Sequence, residues 1–308
     1  MKKTLFGLLL AALLVSFMMM PSLQGLRNRA DDQITISPND TMRDLQVKIQ
    51  KMREQLRRDG ETFEVGLNPA MQYPLEQLCG LKEELAPANV PVMELPTDVQ
   101  ALPTSYTGIY TSIKNQGSCG SCWDFSTTGT AEGVLKKLSG TTYDLSEQYA
   151  LDCNTDGWNC SGGWYVFNMF CAPYGGRAES CYPYTAVKGT CKSTCGSVAT
   201  ISGYAQVCGS SSVCATTDIK NAIYNYGLVS VAVYADTTFQ SYTSGCFSRN
   251  TGSGINHAVC LVGWNDTTPC STGAWYLKNS WGTGWGISGF MWIKYGVMRV
   301  GYRTTYAW

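Results

Sequence analysis

Gln116-Gly117-Ser118-Cys119-Gly120-Ser121-Cys122-Trp123 runs directly into a stretch that reads as helix, from about Cys122 to Leu138, with Gly140 placed to close it. A thiol at a helix start is placed for attack. Unpaired backbone N–H groups and the positive end of the helix dipole favour thiolate over thiol there, which lowers the cysteine pKa. Cys119 and Cys122 also form a CxxC pair, so a thioredoxin-like redox reading stays open on these residues alone. A thiolate that opens an acyl bond needs a proton donor for the leaving group. The chain holds a single imidazole, His257, in Asn256-His257-Ala258-Val259.

Composition narrows the field. The 308 residues carry 23 basic and 23 acidic side chains, a net charge of zero at pH 7, and charged residues are only 15% of the chain. That balance speaks against a nucleic-acid partner and against a charged disordered protein. At 44% hydrophobic and 12% aromatic, the chain can fill one large core or two smaller ones. Fourteen cysteines point to an oxidising compartment. With one histidine and no pair of CxxC knuckles, no structural zinc site is expected, and no metal or cofactor is implied. Lys2 and Lys3 precede an apolar run from Leu5 to Met20 broken only by Gly7 and Ser16, which reads as an export signal within residues 1–25. A retained membrane anchor is the other reading of that run. No later stretch is apolar enough to span, so no stable membrane partner is expected.

From Asp31 to about Pro96 charge is densest and one cysteine, Cys79, is present. Met42, Leu45, Ile49, Met52 and Leu56 recur at helical spacing, with Asp40 or Thr41 placed to cap and Gly60 to stop an amphipathic helix. Its apolar face wants a partner: the cysteine-rich domain that follows, or a second helix in a short coiled coil. Beyond Thr97 a helix is expected over Asp218–Tyr226. Strands are expected over Leu228–Tyr234, His257–Trp264, Ala274–Lys278 and Phe290–Tyr295. A helical half followed by a β half suggests two lobes.

The stretch Gln116 to Trp123 resembles the active-site signature of papain and the cathepsins. Further stretches agree in order: Leu145-Ser146-Glu147-Gln148 through Asp152-Cys153, Cys160-Ser161-Gly162-Gly163, Tyr182-Pro183-Tyr184, Asn256-His257-Ala258-Val259 and Lys278-Asn279-Ser280-Trp281-Gly282. His257 lies 135 residues after Cys122 and Asn279 lies 157 after it, which fit or nearly fit that family's separations. The resemblance covers Leu102 to Tyr302. It implies an α+β, papain-like two-lobe fold, with a helical left lobe, a β-barrel-like right lobe and the active-site cleft between them. It divides the chain into a signal peptide at 1–25, a short inhibitory propeptide at 26–98, most visible at Gly66-Leu67-Asn68-Pro69, and a peptidase domain at 99–308, with processing between Pro96 and Leu102.

By the same resemblance Cys122 is the nucleophile and His257 the acid and base, forming a thiolate and imidazolium pair. Asn279 orients the ring under the shield of Trp281, and Gln116 with the Cys122 N–H serves the oxyanion. Gly162, Gly163 and Asn256 meet the substrate backbone, while Trp164, Ala232, Ile255 and Ala258 line an apolar pocket for the second residue before the cut bond. Cys119 would join Cys160 and Cys153 would join Cys191, which removes the redox reading of the CxxC pair. Setting aside Cys122 and Cys79, twelve cysteines allow up to six bridges. Cys208 with Cys214 and Cys246 with Cys270 are candidates, Cys260 reads as a buried free thiol, and the remainder are unassigned.

The implied function is a monomeric, exported cysteine-type endopeptidase acting on peptide or protein substrates through an acyl-enzyme thioester, restrained by its own propeptide. The compartment is secreted, lumenal, periplasmic or lysosome-like. A catalytically silent papain-fold binding or structural protein is the alternative. Three features depart from the family, the first being a propeptide helix shorter than in most relatives, which would weaken inhibition by it. Asp124 stands where a small apolar residue is usual, and its charge would oppose thiolate formation. The segment from Tyr295 to Trp308 is short and lacks the usual late cysteine.

Overall fold

The computed structural model describes residues 34–92, 101–209 and 212–308. The signal segment at 1–25 and most of the expected processing window, residues 96–100, lie outside the described residues.

Helix α1, Met42–Asp59, starts in a capping box in which Thr41 and Asp44 each satisfy the other's backbone N–H, and it stops at Gly60 in the left-handed region. Ile49, Met52 and Leu56 are its buried residues. They pack in one cluster with Phe63, Val65 and Met71 of the following segment and with Phe239, Tyr242 and Phe247 of the β lobe. The coiled-coil reading therefore gives way to packing against the domain. Glu64–Val65 adds an antiparallel pair to Tyr242–Ser244. Gln240 Nε2 donates to the carbonyls of Ala70 and Tyr73, and Asn68 Nδ2 donates to that of Gln240.

Helix α2, Cys122–Ser139, is buried without a break from Cys122 to Val134, so it runs through the protein rather than along its surface. That explains its weak polar–apolar alternation. Its buried hydroxyls find partners inside: Ser126 Oγ donates to the Val259 carbonyl at 2.8 Å, and Thr130 and Ser230 share a hydroxyl contact at 2.8 Å. Gly133 lets the helix seat closely, because a Cβ there would stand 1.7 Å from Leu228 Cδ2 and force that side chain to move. Helix α3, Glu147–Cys153, is capped by Ser146 and completes the helical lobe with the aromatic cluster around Trp164, Phe167 and Phe170.

After helix α4, Thr216–Tyr226, the β lobe is built on an eight-stranded sheet. Strands β1 (Tyr204–Gln206), β2 (Val229–Val233), β3 (His257–Asn265), β4 (Ala274–Lys278), β5 (Phe290–Lys294) and β6 (Tyr302–Ala307) lie in the order β1-β6-β2-β3-β4-β5. Cys246–Phe247 extends the sheet parallel to β5, and Ser105–Thr107 pairs with β3. Residues of β3 from His257 to Trp264 are all buried. Strand β3 packs on α2, and the backbone N–H of Ala258, the residue after His257, faces Cys122.

Five disulfides form: Cys119–Cys160, Cys153–Cys191, Cys181–Cys195, Cys208–Cys214 and Cys246–Cys270. The sixth allowed by counting does not, because Cys171 and Cys260 pack in different clusters and both stay free, as do Cys79 and Cys122. Cys260 is buried, with its sulfur against Ser126.

Candidate active site

Cys122 opens α2 with its sulfur free and fully buried. Gly80 N–H donates to Sγ at 3.2 Å, and the backbone N–H of Ala258, the residue after His257, also faces it. Burial outweighs these donors and pushes the thiol pKa up to about 11. His257 begins β3, also fully buried. Its Nε2 lies 2.9 Å from Asn279 Oδ1, its Nδ1 has no hydrogen-bond partner, and burial lowers its pKa to about 4 against the opposing bond from Asn279. The Trp281 ring covers this bond at 4.7 Å between centroids. The charged thiolate and imidazolium pair expected from the sequence is therefore not what this state favours. With water excluded, both groups are more stable neutral.

Gln116 is buried at the same place. Its Nε2 donates to the carbonyls of Leu78 at 2.9 Å and Cys119 at 2.8 Å, and its Oε1 accepts from Ser280 Oγ at 2.7 Å. Residues 79–82, between a helical turn ending at Leu78 and a 3-10 turn beginning at Glu83, pass the Cys122 sulfur as an extended peptide. Gly163 N–H donates to the Gly80 carbonyl at 2.9 Å, Lys82 N–H to the Gly163 carbonyl at 3.2 Å, and Leu81 N–H to the Asn256 carbonyl at 3.0 Å. The Leu81 and Gly163 backbones run parallel. A Cβ on Gly162 would stand 2.9 Å from the Gly80 carbonyl, so that glycine permits this approach, whereas one on Gly163 would stand 2.7 Å from the Trp123 ring and disturb the packing of the wall itself. Leu81 is buried with Trp164, Ala232 and Ala258, and Ile255 packs against the same cluster. Cys122, Gln116, Asn256, Gly162 and Gly163 thus all meet one segment, residues 78–83, and Trp164, Ala232, Ala258 and Ile255 share a cluster with its Leu81.

Asp124 behaves differently from expectation. It is fully buried, Thr128 Oγ1 donates to its Oδ1 at 3.0 Å, and burial followed by the charge of Glu147 raises its pKa well above the usual carboxylate range. The raised pKa lessens the opposition to a thiolate that its charge would bring. Sequence reasoning gave no role to Tyr184, whose hydroxyl donates to the Gln116 carbonyl at 3.0 Å and contacts Ser121 Oγ at 2.8 Å, holding the loop before α2. It also missed Tyr302, which joins the Leu81 pocket and hydrogen-bonds Glu83. Only the position of Tyr302 at the end of the resembling stretch hinted at it.

A family model described as papain family cysteine protease matches residues 96–307, more than two thirds of the chain. The chain belongs to the papain family. Within it, a cathepsin L-like proteinase of Fasciola hepatica is 41% identical over 192 residues, 60% of this chain and 57% of that protein. Ananain of Ananas comosus is 32% identical over 250 residues, 76% of this chain and 69% of that protein. The chain thus spans less than two thirds of the fluke proteinase. Among solved structures, digestive procathepsin L 3 of Tenebrio molitor larval midgut superposes with a TM-score of 0.73 at 30% identity, covering 86% of this chain and 89% of that one. Recombinant stem bromelain precursor gives 0.73 at 29%, covering 85% and 89%. Papain-family proforms therefore match the α1 region as well as the two lobes, and the two-lobe α+β fold follows.

Proposed function

We propose that this chain is an exported cysteine-type endopeptidase made as a proenzyme, with residues 26–98 as inhibitory propeptide and 99–308 as the peptidase domain. The observation that carries the reading is the peptide of residues 78–83 lying across Cys122. It presents an N–H, not a carbonyl carbon, to the sulfur, so it occupies the cleft without offering a bond to cut. Its Leu78 carbonyl takes the Gln116 donor.

With the segment gone and water admitted, the cost of separating charge falls. The Cys122 proton passes to His257 Nδ1, whose lone pair is free because Nε2 donates to Asn279. The sulfur adds to the scissile carbonyl carbon, and Gln116 Nε2 with the Cys122 N–H stabilises the oxyanion. His257 returns the proton to the leaving amine as the thioester forms, then takes one from water for hydrolysis. The burial of Leu81 with Trp164, Ala232 and Ala258 supports an apolar preference at the second residue before the cut. Five disulfides support an oxidising compartment.

The test is to hold the wild-type proform and Cys122→Ala in mild acid with reductant. Wild type should shorten itself to a form starting between Pro96 and Leu102 and digest an unfolded protein substrate. If both stay intact and inert, the catalytically silent alternative replaces this reading.

A further inference from the structure

Resting on the peptidase reading, we propose that Arg303, with Tyr302 and Arg299, forms a subsite selecting an acidic substrate side chain one or two residues farther from the cut bond than the apolar residue. The chain's own segment marks the place. From Leu81 the backbone reaches the sulfur through Gly80, whereas Lys82 and Glu83 lead away from it. Lys82 is extended, at φ −121° and ψ 113°, so Glu83 returns toward the wall that Leu81 faces. There its carboxylate accepts a hydrogen bond from the Tyr302 hydroxyl.

Two cations lie against the ring of that tyrosine. The Arg299 guanidinium lies 4.1 Å from the Tyr302 ring centroid, and that of Arg303 lies 5.6 Å from it and 5.7 Å from the Trp164 ring. Adjacent strand residues ordinarily point to opposite faces. Here the pairing of β6 with β2 shifts register between Tyr302 and Thr305, and Arg303 takes a left-handed backbone at φ 53°, so both side chains reach Trp164 and the pocket wall.

Neither arginine is neutralised: among the described residues neither forms an ion pair, and the Nε of each is buried with no hydrogen-bond partner. Arg299 spends one Nη1 bond on the Ser253 carbonyl at 2.7 Å. Glu83 leaves with the propeptide, so the processed groove keeps a hydroxyl donor on a ring that two uncompensated, half-buried guanidinium groups pack against. A carboxylate is the group that fits.

The processed enzyme would be assayed on three fluorogenic tetrapeptides: Glu-Glu-Leu-Arg, Gln-Gln-Leu-Arg and Lys-Lys-Leu-Arg. We expect kcat/KM on the Glu peptide to exceed that on the isosteric Gln peptide by about tenfold, mainly through KM, with Lys poorest. Arg303→Gln should bring the ratio of Glu-peptide to Gln-peptide kcat/KM close to one, whatever it does to the two rates together. As a measure that leaves the enzyme unaltered, a synthetic peptide of residues 75–86 should inhibit about tenfold more weakly when it carries Glu83→Gln. Equal rates on Glu and Gln peptides by an active enzyme, or an acidic preference that survives in Arg303→Gln, overturns the subsite. Cleavage of none of the three, with no labelling of Cys122 by an epoxide, overturns the peptidase reading and the subsite with it.

Discussion

Asn279 Oδ1 faces His257 Nε2 at 2.9 Å while also accepting the Ser280 backbone N–H at 2.8 Å. The backbone donor settles which Asn279 atom is the oxygen, and an oxygen there requires the proton of a neutral imidazole to sit on Nε2. Nδ1 is thereby the base. Asn279→Ala should lower kcat on the order of a hundredfold or more, because the ring loses both its tautomer and its orientation. Steady-state kinetics on the processed protein checks this, with circular dichroism to show that the fold is kept.

The buried sulfur sets a pH signature. With its pKa raised to about 11 under residues 78–83, Cys122 is a thiol at neutral pH in the proform. Thiolate, the reactive form, appears only as pH climbs toward that value. Iodoacetamide should therefore leave Cys122 of the proform unmodified at pH 7 and modify it promptly after processing. Peptide mapping by mass spectrometry separates it from Cys79, Cys171 and Cys260.

Asp124 carries a stability signature of its own. Its folded pKa is raised, so its proton binds more tightly in the folded than in the unfolded chain. The contribution is present in full below the ordinary carboxylate range and is lost as pH rises from there through the folded pKa, at about 1.4 kcal/mol per pH unit. Asp124→Asn removes that slope. The variant should match wild type near pH 3 and gain over it by pH 6 to 7 in denaturant unfolding. Equal pH dependence of the two would show that the carboxyl is ionised in the folded state.

Gly133 tests the seating of α2 on the sheet. A Cβ at 1.7 Å from Leu228 Cδ2 cannot be accommodated without moving that side chain. Gly133→Ala should cost about 1–3 kcal/mol, read as a lower unfolding midpoint.

Much of this was legible before folding. Gly140 and Cys122 bound α2 where the punctuation placed them, and the β-branched runs became β2 to β5. Strand β6 was missed because Arg303 and its threonines carry no alternating pattern, and the left-handed turn at Arg303 arises from a register shift against β2. Cys181–Cys195 was missed because spacing alone does not select partners. The shifted pKa values of Cys122, His257 and Asp124 were beyond sequence reasoning for one reason: each follows from burial created by distant segments, and for Cys122 the covering segment lies some forty residues upstream.

The most direct measurement is titration of the acid-processed protein with an epoxide inhibitor, read by mass spectrometry. One equivalent bound at Cys122, with activity falling in proportion, is the predicted result. Label found on another thiol, or loss of activity with Cys122 unmodified, would contradict the assignment of Cys122 as the attacking group.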